Sequence, residues 1–441
     1  MASSRDELMA RIESGSAVVG IIGLGYVGLP LAREFLKAGF AVKGFDIDPG
    51  KVEQLNRGES YIPHISSEFL KDHTRSGAFE ATADFARLAE ADAILICVPT
   101  PIDEHKIPDL SYVVETTRTI AKTLRAGQLV VLESTTYPGT TDEEMLPILE
   151  ATGLRCGEEF FIGYSPERED PGNPSFSTST IPKVVSGMTE ACRELANTLY
   201  GKVVVTTVPV SSTRVAEATK LLENIFRAVN IALVNELKVV FEKMGIDVWE
   251  VIEASKTKPF GYMPFYPSAG FGGHCIPVDP FYLVWKAHEF DANARFVQLA
   301  GEVNTMMPYY VVSQLARALG GQGKSVFGSK VLILGVTYKP DVADLRESVS
   351  LKLIEILMAE GAEVAYHDPY VPTLPPTRKY RFAMHSVDLT PETIAGYDAV
   401  LIATNHRSVD YSLLKQHAKL VVDTRNAMGV KGLAWENVVK A

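Results

Sequence analysis

Cysteine is scarce in this chain. Cys97, Cys156, Cys192 and Cys275 stand far apart among 441 residues. That excludes a disulfide framework and the close pairs of a zinc site; no metal is expected, and a reducing, cytoplasmic compartment fits. Positive charge is also short: 43 Lys and Arg face 54 Asp and Glu, a formal charge of -11. No nucleic-acid-binding or anionic-membrane surface is therefore expected beyond a local basic pocket. No uncharged apolar run is long enough to span a bilayer. The first sixteen residues carry Arg5, Asp6, Glu7, Arg11 and Glu13, so a signal-peptide core is not expected. With 46% hydrophobic residues the chain can build real cores, and its length suits two or three domains.

Three glycines then organise the N-terminal part. An apolar run, Ala17-Val-Val-Gly-Ile-Ile22, leads into Gly23-Leu24-Gly25-Tyr26-Val27-Gly28, and a helical pattern follows to Gly39. The next strand, starting at Phe40, ends on Asp46. The G-x-G-x-x-G spacing between strand and helix, with an acid about 20 residues on, is a dinucleotide fingerprint. Such a turn brings pyrophosphate to backbone N–H groups at a helix N-terminus. Asp46 would accept from a ribose 2′-OH and repel a 2′-phosphate, which favours NAD over NADP. Lys51 follows closely enough to approach the same ribose. Further buried strands end at Pro99-Thr100, at Ser134-Thr135, and at Glu167-Arg168. Ligands collect at the carboxyl ends of doubly wound sheets. Pro99, Thr100, Ser134, Thr135 and Glu167 are therefore expected at a cofactor crevice.

Residues 211–244 contain neither proline nor glycine, and Val215, Ala218, Leu221, Leu222, Ile225, Val229, Ala232, Leu233, Leu237 and Val240 recur at helical spacing. One long helix is predicted, capped by Ser212 or Thr213, more than twice the average length. Lys220 and Asn224 share one of its faces. Beyond it, Gly270, Gly272 and Gly273 crowd onto the N-terminal side of Cys275, and Asp279-Pro280 opens a helix over residues 281–288. A cysteine just ahead of a helix N-terminus is a candidate thiolate nucleophile. From Lys330 a second α/β series begins, with strands at 331–335, 363–368, 398–403 and 419–423; it keeps Gly335 but not the three-glycine set. The expected architecture is α/β: two Rossmann-like doubly wound domains joined by a long central helix and a helical dimerisation region. The expected boundaries are 1–210, 211–320 and 321–441. A homodimer through the central region follows from the apolar excess of the long helix.

The motifs together resemble those of the UDP-glucose/GDP-mannose dehydrogenase family, whose pattern is matched over nearly the whole chain. They are the nucleotide turn through Pro30, Ser134-Thr135, Pro166-Glu-Arg168, Lys220-Leu-Leu-Glu-Asn224, Gly272-Gly-His-Cys-Ile-Pro-Val-Asp279 and Tyr338-Lys-Pro-Asp-Val-Ala-Asp-Leu-Arg-Glu-Ser348. The resemblance implies an NAD-dependent enzyme that oxidises the C6 alcohol of a nucleotide sugar to a carboxylate in two hydride steps. It implies that Lys220 and Asn224 polarise the C6 oxygen and that Cys275 captures the aldehyde. Asp279 would position Lys220 or water, Glu167 would act as general base, and Thr135 would anchor the water. It further implies that Gly272, Phe265, Tyr266, Arg168 and Lys339 contact the sugar nucleotide and that Arg346 reaches NAD. His274 reads as loop packing, and Phe260 and Tyr262 as core. Lys258-Pro-Phe-Gly and Phe265-Tyr-Pro are most similar to bacterial members acting on UDP-N-acetylglucosamine, although Ser268-Ala269 departs from their more usual Gly-Pro. UDP-glucose and UDP-N-acetylmannosamine stay open as substrates. So do two other classes: a two-electron hydroxyacid dehydrogenase, which would need no cysteine loop, and a non-enzymatic sensor.

Overall fold

The computed structural model describes residues 3–62, 65–103, 105–168, 178–273 and 276–441. By contacts the chain divides into two units, residues 1–223 with 285–292, and residues 224–284 with 293–441.

The first unit is built on six short apolar strands: β1 (Val18–Ile22), β2 (Ala41–Phe45), β3 (Phe79–Thr82), β4 (Ala93–Ile96), β5 (Leu129–Leu132) and β6 (Phe161–Tyr164). They pair in parallel in the order β3-β2-β1-β4-β5-β6. Parallel strands are covered on both faces, so they read as unbroken apolar runs. Alternation still sorts the side chains: Val19, Ile21, Leu95 and Val131 join one core, and Ile22, Ile94, Ile96 and Val130 the other. The strand order reverses between β1 and β4, and this is where doubly wound sheets take their ligands. A two-stranded parallel ribbon, β7 (Lys183–Val185) and β8 (Thr207–Pro209), completes the unit.

The long helix spans Thr213–Lys243, with Ser212 Oγ accepting from the Val215 N–H at its start. Its first turns belong to the first unit and the remainder to the second. The helix after the cysteine loop spans Asp279–His288, so Asp279 lies in its first turn rather than ahead of it. The Arg295–Gly321 helix runs one residue past the expected boundary at 320.

The second unit holds five parallel strands, β9 (Lys330–Leu334), β10 (Glu363–His367), β11 (Ala399–Ile402), β12 (Val421–Asp423) and β13 (Val438–Lys440), in the order β10-β9-β11-β12-β13. It is the same winding without an equivalent of β3. Val331 and Ile333 face one core, Leu332 and Leu334 the other. Among the described residues no helix is long and apolar enough to cross a membrane.

One expectation is corrected. Phe260 and Tyr262 are not core: they are 72% and 38% exposed, on a segment without regular structure. Cys156 and Cys192, remote in sequence, have their sulfurs 3.9 Å apart. The Arg168 guanidinium, read as a substrate contact, is engaged by Glu223 at 2.5 Å and by the Pro182 carbonyl at 2.6 Å.

Candidate active site

The nucleotide turn needs glycine at two positions. Gly23 has φ 90°, and a Cβ there would lie 2.4 Å from the Cys97 carbonyl oxygen; one on Gly28 would lie 1.9 Å from the Gly23 carbonyl. The helix that follows, Gly28–Lys37, carries no side-chain cap, and a Cβ on Gly25 would meet nothing within 4 Å. An uncapped helix N-terminus beside open space is a cradle for phosphate. Asp46, buried after β2, accepts from the Leu24 N–H at 3.0 Å and the Asp48 N–H at 3.0 Å, so its carboxylate is fixed at the rim of the turn. Lys51 Nζ lies 3.9 Å from it, and Tyr26 and Pro99 are exposed. The turn fits a dinucleotide. Gly23, Gly25, Tyr26, Val27 and Gly28 would hold the pyrophosphate, and Asp46 the ribose.

At the other carboxyl ends the candidates differ. Thr100 is buried and Thr135 half-buried, whereas Ser134 Oγ donates to the Val98 carbonyl at 2.7 Å and serves the turn itself. Glu167 accepts from the Arg168 N–H at 2.7 Å, and Lys220 Nζ donates to the Glu167 carbonyl at 2.6 Å. Sequence reading missed what lies beneath. Lys183 Nζ, at the start of β7, is 2.8 Å from Glu133 and 3.5 Å from Glu167, and donates to the Pro166 carbonyl at 3.3 Å. Tyr200 donates to Glu133 from the other side. The only signal was a Lys opening an apolar strand and a Glu closing another. Burial, and then the charge of Glu133, pushes the Cys97 thiol up, which makes it a poor nucleophile.

In the second unit Asn224 Nδ2 donates to Asp279 Oδ2 at 2.5 Å, both side chains buried. Asn224, one turn along the helix from Lys220, is thus one partner of Asp279. Cys275 and His274 lie outside the described residues. The glycines before them are explained by close approach: a Cβ on Gly270 would lie 2.8 Å from the Asn304 carbonyl, on Gly272 2.9 Å from the Glu347 carbonyl, and on Gly273 3.0 Å from the Tyr338 ring. Gly273 N–H also donates to the Arg346 carbonyl at 3.2 Å. Asn235 fixes the start of this loop, accepting from the Ser268 N–H at 2.9 Å and donating to Asn304 at 2.7 Å. The Arg346 guanidinium lies against Asp344, and Lys339 Nζ stands 5.7 Å from the Tyr338 ring centre.

Phe265 packs edge-on against Phe226. Tyr266 stacks on Trp249 and lines a pocket of about 540 Å³ with Asn405, Arg425, Asn426 and Lys440. Arg425 was missed because one arginine after an apolar strand has no distinctive spacing. Among the described residues no cluster of His, Cys, Asp and Glu could hold a metal ion.

Comparison with known proteins agrees with this geometry. Residues 17–204 match the NAD binding domain of the UDP-glucose/GDP-mannose dehydrogenase family, 214–306 its central domain and 332–430 its UDP binding domain. UDP-N-acetyl-D-glucosamine 6-dehydrogenase of Pseudomonas aeruginosa is 40% identical over 393 residues, covering 88% of this chain and 90% of that protein. Protein CapL of Staphylococcus aureus is 38% identical, covering 94% and 96%. The solved UDP-D-ManNAc dehydrogenase of Pyrococcus horikoshii superposes with a TM-score of 0.85 at 32% identity, covering 96% of this chain and 97% of its own. The chain belongs to the UDP-glucose/GDP-mannose dehydrogenase family and is an NAD-dependent oxidoreductase.

Proposed function

We propose that the chain oxidises the C6 alcohol of UDP-N-acetylglucosamine to the uronate, with two NAD+ reduced per sugar. The observation that carries the reading furthest is the 2.5 Å Asn224–Asp279 hydrogen bond. It ties the helix of Lys220 and Asn224 to the helix that begins four residues after Cys275.

NAD, when bound at the first glycine turn, supplies the hydride acceptor. The residues of the chain do the rest. Lys220 and Asn224 donate to the C6 oxygen as negative charge develops there; donors held in place by Glu167 and Asp279 need no reorganisation. Cys275 thiolate adds to the aldehyde, giving a thiohemiacetal whose C–H is again oxidisable. Its oxidation leaves a thioester, which water hydrolyses to the acid and the free thiol. Glu167 takes the proton from that water, which Thr135 anchors. Lys339, Phe265, Tyr266 and Gly272 hold the nucleotide sugar, and Arg346 the cofactor.

The N-acetylglucosamine assignment follows the Pseudomonas relative and the Lys258-Pro-Phe-Gly and Phe265-Tyr-Pro segments. UDP-N-acetylmannosamine is the second reading, because the Pyrococcus protein of that name covers as much of the chain. A panel of UDP-sugars compared by kcat/KM, with NADH counted per sugar consumed, tests both. Two NADH are expected, with UDP-N-acetylglucosamine preferred; one NADH per sugar overturns the covalent route and revives a two-electron dehydrogenase.

The assembly reading is a homodimer through the long helix. Leu222, Phe226, Leu233 and Val240 are 67%, 48%, 50% and 44% exposed and fall at four- and seven-residue steps, one apolar stripe. A second copy of the same stripe is a self-complementary cover for it. Light scattering at micromolar protein is expected to give twice the chain mass; a monomer would contradict the reading.

A further inference from the structure

The carboxyl ends of β9, β10 and β11 repeat the arrangement at β1, β2 and β4. A Cβ on Gly335 would lie 2.3 Å from the Thr404 carbonyl, as one on Gly23 would lie 2.4 Å from that of Cys97. Asp368 Oδ2 accepts from the Val336 N–H at 2.7 Å and Oδ1 from the Tyr370 N–H at 2.8 Å, the two bonds Asp46 makes after β2. One feature is new. His406, fully buried after β11, sets Nε2 3.0 Å from Asp368 Oδ2, on the carboxylate that in the first unit is read as the ribose acceptor. Two residues after Lys339, the Asp341 N–H donates to His406 Nδ1 at 3.0 Å. Nδ1 therefore carries the lone pair and Nε2 carries the proton donated to Asp368.

This bond fixes an otherwise unfavourable turn. Asp341 has φ 61°, a left-handed conformation that side chains avoid. Its carboxylate accepts from the Arg407 N–H at 2.9 Å and pairs with the Arg407 guanidinium, so the neighbours of His406 secure the turn a second time. Thr337 Oγ1, 3.3 Å from His406 Nε2, donates to the Lys339 carbonyl at 3.0 Å. The same loop presents Tyr338, Arg346 and Glu347 to the glycines that precede Cys275.

We propose that His406 is a positioning residue that, through the Asp341 N–H, sets the loop carrying Lys339 for the nucleotide sugar. The proposal rests on the reading that Lys339 contacts the substrate.

Two substitutions separate positioning from packing. In His406→Asn the amide oxygen can stand where Nδ1 stands and keep the bond to Asp341. In His406→Gln the amide reaches the place of Nε2 and the acceptor is lost. The Gln variant is expected to bind UDP about tenfold more weakly and to raise KM for the nucleotide sugar in step, with kcat and KM for NAD+ within about twofold. The Asn variant is expected to stay within about twofold of the parent in all four quantities. A packing role predicts the reverse order, because Asn removes more volume. Hydrogen exchange of the peptide covering residues 336–347 reads the loop directly and should quicken in the Gln variant only. Losses in Asn equal to or greater than those in Gln, or unchanged exchange in Gln, overturn the proposal. Lys339→Met is the control. If it weakens UDP and His406→Gln does not, the proposal fails alone. If it leaves UDP affinity unchanged, the reading of Lys339 fails, and the exchange measurement then decides whether His406 sets the loop.

Discussion

Replacing Cys275 by Ser is expected to leave NAD binding intact and to cut acid formation by roughly 10³-fold or more, the scale on which loss of a covalent nucleophile acts. Gly270, Gly272 and Gly273 let the loop lie against the Asn304 carbonyl and the Tyr338 loop, where no side chain fits. The helix that opens at Asp279 begins four residues after Cys275 in the sequence, and the partial charge of a helix N-terminus favours thiolate over thiol. A serine hydroxyl there is not ionised near neutral pH, so the aldehyde from the first oxidation is not captured. Acid should be followed by mass spectrometry alongside NADH, and NAD binding by protein fluorescence. Acid formation within tenfold of the parent would remove Cys275 from the mechanism. The other described thiols are poor substitutes, since Cys97 is held protonated by burial and Cys192 is fully buried against Cys156.

What the sequence disclosed and what it hid follow one division. The nucleotide turn was legible because its spacing is local: Gly23, Gly25 and Gly28 sit together between a strand and a helix, and Asp46 closes the next strand. The long helix was legible because absence of proline and glycine over thirty-odd residues leaves little else to form. Pairings between remote residues left no trace. Nothing in the spacing of Arg168 and Glu223, Cys156 and Cys192, or Asp341 and His406 announces a contact. Phe260 and Tyr262 misled for a related reason: an aromatic residue reads as core until the segment around it proves to be surface. In the second unit the loss of the three-glycine set was visible, but its counterpart, a histidine seated on Asp368, lies some forty residues away and needed the fold.

The largest structural effect is expected at Lys183. Its side chain is 4% exposed, and that of Glu133 is fully buried 2.8 Å away, with Glu167 at 3.5 Å and the Tyr200 hydroxyl closing the far side of Glu133. Burial opposes the charge on Lys183, but the carboxylates of Glu133 and then Glu167 outweigh it and hold the ammonium above the usual lysine range. A lysine whose folded pKa is raised contributes fully below its unfolded value near 10.4 and loses that contribution only as pH rises through the folded value. Lys183 therefore keeps its contribution at neutral pH, where the comparison can be made, while burial pushes Glu133 above the usual carboxylate range. Lys183→Met leaves Glu133 charged in a dry core, which costs about 3–5 kcal/mol. For a unit of this size that corresponds to a Tm lower by roughly 10 °C. The double variant Glu133→Gln, Lys183→Met removes both charges and should recover much of the loss, because a neutral pair carries no desolvation penalty. Calorimetry of parent, single and double variants checks both steps. A single variant within about 1 kcal/mol of the parent, or a double variant no better than the single, would mean that Glu133 finds protons or water without Lys183 and that the floor beneath Glu167 is not held by charge.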